Sequence, residues 1–271
     1  MKASVTVENM QCAHCVSTIN NALLKINGVY GVEANIAEQS IQIDHTEQVS
    51  LNEITSKLNE LGYPQKERRE DAFADKAEEW DLNPIRTYQA EKFFKQVAEV
   101  IPLKPAYKLM DFGCGTGLVG LQFAPYVNSL VMLDNSPGML SVLEKKIAKL
   151  QLDKTKIEIV SNGLENLKEK DIDIIVSLMT FHHLENVETV IQQFSEKLND
   201  GGYVAIADLV SEDGSFHDET VPHNGFDPQE ICKLLSKTGF QLVLCEIFNR
   251  LNKPTSKGIK EFEQFLIIAK K

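Results

Sequence analysis

Apolar positions along this chain follow more than one period. Ala3 to Glu8 alternates polar and apolar, the spacing of a half-buried strand. Val16 to Ile26 spaces its apolar residues as one face of a helix. Gly28-Val29-Tyr30-Gly31-Val32 opens a strand, Ser40 to Asp44 reads as another, and Leu51 to Leu61 as a second helix ending at Gly62-Tyr63. Further on, an unbroken apolar run, Tyr107 to Met110, reads as a buried strand. A glycine-rich stretch, Asp111 to Gly117, and a helix-like segment, Leu118 to Ala124, follow it. Leu130-Val131-Met132-Leu133 is a second apolar run and ends in Asp134.

Strand, glycine turn, helix and a strand ending in an acid make the layout of a site for an adenosine-containing cofactor. Gly113, Gly115 and Gly117 let the backbone turn sharply and approach a ligand without a Cβ in the way. Asp134 can accept hydrogen bonds from both ribose hydroxyls. Two ligand classes compete for this turn. A dinucleotide fingerprint is present as Gly115-Thr116-Gly117-Leu118-Val119-Gly120, but it starts late, where the helix should already be under way. Asp111, at the strand's end, would repel a pyrophosphate and suits a zwitterionic ligand with an amino group and a sulfonium. The phase and the two acids favour S-adenosylmethionine.

A second motif is Met10-Gln11-Cys12-Ala13-His14-Cys15, between the first strand and the first helix. Two thiols at a helix N-terminus ionise readily, because the dipole favours thiolate. Cys12 and Cys15 thus suit a soft ion, Cu(I) above all and also Zn(II). A thioredoxin-like redox pair is the other use of this spacing. The module is short for that fold and has no flanking Trp or Gly-Pro spacer. His14 reads as a third ligand or as a solvated loop side chain.

With 271 residues there is room for one small domain and one larger one. A net charge of −11 opposes sequence-independent nucleic-acid binding. No apolar run is long enough to span a membrane, and no uninterrupted apolar region opens the chain as a secretory leader would. The five cysteines form no disulfide framework. Cys114, Cys232 and Cys245 read as small buried residues, and the pattern fits a reducing cytoplasm.

Residues from about 72 onward resemble a class I S-adenosylmethionine-dependent methyltransferase of the group that includes quinone-biosynthesis enzymes. The matching segments are Ala77-Glu78-Glu79-Trp80-Asp81, Asp111 to Gly117, Leu133 to Leu140, Asp171 to Ser177 followed by His182-His183, and Gly201-Gly202-Tyr203. The resemblance implies a Rossmann-like α/β fold, with a seven-stranded, mostly parallel sheet and one antiparallel strand near the end. It places Asp111 near the amino end of the cofactor, Asp134 at the ribose with Asn135 as a further cofactor contact, and Ser177 to Thr180 along the methionine portion. Asn162 stands where the family has an aspartate near the adenine; the charge is gone there, but its oxygen can still accept from the adenine amino group, unless Asn162-Gly163 serves only as a turn. Trp80 and Arg86 would form part of a lid.

Residues 1–66 resemble the heavy-metal-associated domain of copper chaperones and pumps, a small ferredoxin-like βαββαβ unit. That likeness implies that Cys12 and Cys15 bind the metal, that Met10 packs beneath the loop and that Tyr63 lies near it. Pro64 departs from the family's last strand, since proline cannot donate to a ladder. Residues 67–84 read as linker and lead-in helix, and 85–271 as the methyltransferase domain.

Methyl transfer needs alignment of acceptor, methyl and sulfur and exclusion of water. If a small-molecule acceptor must lose a proton, His182 or His183 is the first choice of base, and Asp208 follows the fifth strand. The polar segment 211–227, with His217 and His223, is expected to cover the acceptor pocket. The metal module would regulate or localise the enzyme, in contact with a metal-handling protein. Two other functions use the same residues: methylation of a metalloid or metal thiolate handed on by Cys12 and Cys15, or metal sensing with a non-catalytic methyltransferase-like module.

Overall fold

The computed structural model describes the chain except for residues 1, 37–38, 47, 65–70, 72, 162, 165–166, 168–170, 218–219 and 256–257. The chain divides into two compact units, Met1–Glu70 and Asp71–Lys271. No described helix is long and apolar enough to cross a membrane.

In the first unit the order is β1 (Lys2–Thr6), α1 (Ala13–Leu23), β2 (Val29–Asn35), β3 (Ser40–His45) and α2 (Leu51–Glu60). The sheet runs β1-β3-β2, all antiparallel. Alternation puts Val5, Ile41 and Ile43 on one face, where Ile19 and Leu23 of α1 and Ile54 and Leu58 of α2 cover them. Ser50 caps α2 by accepting from Glu53 N at 3.2 Å. Glu8 N donates to Pro64 O at 2.9 Å. The chain after α2 thereby comes alongside the end of β1, where the fourth strand of a ferredoxin-like unit runs.

The second unit opens with α3 (Ala74–Ala77), a 3-10 turn at Trp80–Leu82 and α4 (Pro84–Val100). Then come β4 (Lys108–Phe112), α5 (Gly120–Phe123), β5 (Ser129–Leu133), α6 (Pro137–Lys149), β6 (Ile157–Val160) and β7 (Ile172–Leu178). A 3-10 turn at Phe181–His183 leads to α7 (Val187–Lys197), β8 (Leu198–Leu209), α8 (Pro228–Lys237), β9 (Gln241–Thr255) and β10 (Gly258–Lys270). The seven-stranded sheet has the order β6-β5-β4-β7-β8-β10-β9. Only β10 runs against its neighbours, pairing antiparallel with both β8 and β9.

Both faces of the sheet are covered, which is why its central strands read as unbroken apolar runs. Met110, Phe112, Ile175 and Ile206 pack with Phe181, Phe194 and Ile231 on one side. Leu109, Ile174, Val176 and Ala205 pack with Phe93, Val97 and Leu143 on the other. Truncating a ring such as Phe194 to Ala would cost about 3–5 kcal/mol. Strand order reverses between β4 and β7, and the crevice opens there, beyond the strands' carboxyl ends.

Asp71 and residues 73–83, assigned above to the linker and lead-in, belong to the second unit. Asp71 accepts from Gly138 N at 2.7 Å, at the N-terminus of α6, and α3 lies against the same helix. Burial raises the Asp71 pKa, but hydrogen bonds from Ser136, Gly138 and Phe73 outweigh it and hold the carboxyl below its ordinary value.

Candidate functional site

The turn after β4 is built on three left-handed glycines, Gly113 (φ +74), Gly115 (+51) and Gly117 (+80). Two of them also have no room for a side chain. A Cβ on Gly113 would lie 2.8 Å from Thr180 Cβ, and one on Gly117 would lie 2.6 Å from Leu143 Cδ1. Gly115, at the tip, faces open space apart from Met139 Sδ at 3.9 Å. Gly113 N and Cys114 N both donate to Leu133 O, at 2.8 and 3.0 Å, which ties the turn to the end of β5. The carboxylate that ends β5 completes the tie: Asp134 Oδ2 accepts from Gly115 N at 2.7 Å and Oδ1 from Ser136 N at 2.8 Å. Burial pushes the Asp134 carboxyl above its ordinary range, against the pull of those two N–H groups.

A second layer closes over this turn. Thr116 donates to Asp81 at 2.5 Å, and Asp81 pairs with Lys146 of α6. Trp80 lies under the Arg86 guanidinium at 3.5 Å, while Phe73 sits edge-on to Trp80 (5.7 Å) and to His183 (5.4 Å). These contacts run from the glycine turn to the histidine turn.

At the end of β8, Asp208 is fully buried. Its Oδ1 receives His182 Nδ1 at 2.7 Å and Leu209 N at 2.7 Å, and its Oδ2 receives His182 N at 3.3 Å. His182 is itself buried, with the rings of His183 at 4.1 Å and His217 at 4.5 Å. His223 N donates to His182 O at 3.2 Å. The described residues of 211–227 meet the histidine turn there, and Ser211 N to Phe226 O and Glu212 N to Asn224 O join their two ends. Lys253 of β9 and Lys260 of β10 brace them, on Phe216 O and on Asp213. Glu212 Oε1 and His223 Nε2 are buried and make no hydrogen bond among the described residues.

In the first unit α1 begins at Ala13, three residues before the apolar periodicity starts at Val16, so Cys12 is its N-cap and Cys15 lies in its first turn. The two sulfurs stand 3.0 Å apart, with Cys12 exposed and Cys15 half-buried. Hydrogen bonds from Cys12 and from the Tyr63 hydroxyl pull the Cys15 thiol down to about 6, so it is thiolate at neutral pH. Met10 is fully buried beneath the loop.

A methyltransferase-domain family model matches residues 110–206, and a heavy-metal-associated-domain model matches residues 4–64. The chain carries a methyltransferase domain behind a heavy-metal-associated domain. An uncharacterised methyltransferase of Schizosaccharomyces pombe is 29% identical over 149 residues, covering 48% of this chain and 52% of that protein. Phosphoethanolamine N-methyltransferase 1 of Zea mays is 27% identical over 179 residues, covering 63% of this chain and 35% of the maize enzyme. The matches thus span about half or less of these curated relatives. A structure of an S-adenosylmethionine-dependent methyltransferase from Aquifex aeolicus superposes with a TM-score of 0.55 at 19% identity, covering 73% of this chain and 97% of that one, and so shares the fold.

Within the methyltransferase domain, the expected site residues fall into two groups. Gly115 and Asp134 are half-buried and Asn135 is exposed. Asp111 turns inward instead: its Oδ2 accepts from Gly120 N at 2.7 Å, capping the start of α5. Burial, opposed by that hydrogen bond and reinforced by the charge of Asp134, brings its carboxyl up to about 7. Ser177 is 0% exposed and donates to Phe112 O at 3.0 Å, so it bolts β7 to β4 beneath the turn rather than facing a ligand. Asn162 lies outside the described residues. Cys114 and Cys232 are buried as expected; Cys245 is half-buried on β9.

Asp71 and Phe73 were missed by the sequence reading, as was the pairing of Asp208 with His182. An acid 67 residues before its partner Gly138 and a lone aromatic before Trp80 carry no local periodic signal.

Proposed function

We propose that this chain transfers a methyl group from S-adenosylmethionine to a small-molecule acceptor, and that its heavy-metal-associated domain binds Cu(I) to regulate or localise that activity. The observation that carries the first part is the Asp134 carboxylate. Each of its oxygens takes one backbone N–H, which leaves one acceptor position on each for the two vicinal ribose hydroxyls. The three glycines hold the backbone close, and the lid of Phe73, Trp80 and Arg86 excludes water. S-adenosylmethionine supplies an already activated methyl on a sulfonium. Asp208 keeps the His182 proton on Nδ1, so Nε2 is the basic nitrogen available for a proton leaving the acceptor. The two buried unpartnered atoms of segment 211–227 support a polar acceptor beneath it.

For the metal, two thiols in contact, one of them ionised at neutral pH, fit a soft ion of low coordination number. Among the described residues no group of three or more His, Cys, Asp or Glu is placed to hold an ion, which favours Cu(I) over tetrahedral Zn(II). Cys114 is buried with its thiol pushed well above the ordinary value, so it offers no thiolate relay toward the methyl donor. This supports a small-molecule acceptor over a metal thiolate.

Calorimetry on the full chain tests the reading. S-adenosylmethionine should bind the wild type and fail with Asp134→Ala, while NADH gives no heat. Heat from NADH and none from the methyl donor would overturn it. Cys12→Ser should abolish Cu(I) binding and leave the methyl-donor isotherm intact.

A further inference from the structure

Gln264 is fully buried where β10 passes between β8 and β9, and it has no part in the roles assigned so far. Its Oε1 accepts from Gln89 Nε2 of α4 at 3.0 Å and from Asn249 Nδ2 of β9 at 2.9 Å. Its Nε2 donates to Met179 Sδ at 2.8 Å. Lys92 Nζ reaches Asn249 Oδ1 at 3.4 Å and closes the network at the surface. Buried carboxamides persist only when their groups are satisfied. Here satisfaction also fixes direction. With both lone pairs of Oε1 taken by N–H donors, a flipped Gln264 amide would face donor against donor. Its N–H is therefore committed to Met179.

Met179 is a conformational exception. It has φ +57 with a side chain, in the left-handed region that such residues enter only when their surroundings enforce it. It stands where the chain leaves β7. Its N–H still bonds Ala207 O at 2.8 Å. The residue after it, Thr180, fills the space over Gly113. The turn that follows delivers His182 to Asp208. One left-handed residue thus aims the cofactor side and the histidine side together.

We propose that Gln264 is a positioning residue of the methyltransferase site: through Met179 it sets the turn that fits Thr180 against Gly113 and His182 against Asp208. This rests on the S-adenosylmethionine reading above. Replacing Gln264 loosens the turn, so both the donor pocket and the buried imidazole shift although neither is touched.

The test uses the full chain as wild type, Gln264→Leu, Met179→Leu and a control, Phe240→Leu, in the core beside α8. Calorimetry with S-adenosylmethionine is paired with the NMR resonance of the His182 Nδ1 proton. Met179→Leu keeps nearly the same volume and removes only the sulfur acceptor, so it carries the test if Gln264→Leu does not fold. Both network variants should weaken the methyl donor about tenfold and move the His182 resonance, as a small misplacement of binding groups does. Phe240→Leu should lower the melting temperature and change neither. Unchanged affinity and an unmoved resonance in folded Met179→Leu would overturn the proposal. If the wild type itself bound no S-adenosylmethionine, the function reading would fall, and the resonance alone would decide whether Gln264 sets the turn.

Discussion

Asp208 and His182 form one buried unit: carboxylate Oδ1 and imidazole Nδ1 are 2.7 Å apart, with neither side chain open to solvent. Asp208→Asn keeps the shape but offers an amide to that nitrogen and favours the wrong tautomer. We expect the rate of methyl transfer to fall by about 10²-fold or more, with affinity for S-adenosylmethionine unchanged. Single-turnover kinetics beside calorimetry separates the two, and an unaltered rate would remove His182 from the chemistry.

Tyr63 should tune the metal loop. Its hydroxyl is, after Cys12, the largest influence lowering the Cys15 thiol to about 6. In Tyr63→Phe that hydrogen bond is gone, so the Cys15 pKa rises. Alkylation by iodoacetamide, followed against pH, should show its midpoint move upward. Metal affinity in the wild type should fall as pH drops below about 6, where protons compete for the sulfur. An unmoved midpoint would dismiss the tyrosine.

The buried Asp111 predicts a stability curve. Its folded pKa is about 7 against an ordinary 3.8, so the folded state keeps a proton that the unfolded chain has lost across this window. The stability contributed by the neutral carboxyl is full below pH about 4 and lost as pH rises to about 7. Asp111→Asn can still accept from Gly120 N and carries no charge to bury. In urea unfolding it should match the wild type near the acid end of the window and exceed it at pH 8 by on the order of a few kcal/mol. Parallel curves at all pH values would contradict the burial account.

Gly113 combines a left-handed backbone (φ +74) with a Thr180 side chain already in the space of its Cβ. Gly113→Ala should cost about 1–3 kcal/mol of stability and abolish methyl-donor binding. Adding Thr180→Ala removes part of the obstruction and should return some stability. A Gly113→Ala protein that binds normally would show that the close approach is dispensable.

Local chemistry was readable from the chain. Within the glycine turn, and within the thiol pair, the residues sit a few positions apart, and each residue type has a narrow set of uses. The apolar runs also marked β4 and β5, because strands covered on both faces leave an unbroken pattern. Pairings between distant positions were not readable. Gln264 and Asp208 interrupt apolar strands, and nothing nearby says which partner satisfies them. Ser177 shows the same limit from the other side. Its position in the family pattern suggested a ligand contact, yet its hydroxyl is spent on the neighbouring strand.

The sheet order has a consequence for biosynthesis. β10 is the last of its strands to leave the ribosome, yet it lies between β8 and β9 and carries Gln264 into the interior. The methyltransferase half therefore cannot complete its folding until synthesis has passed residue 270. The thiol-bearing unit at the front is fully emerged long before that and can fold while the methyltransferase half is still being made.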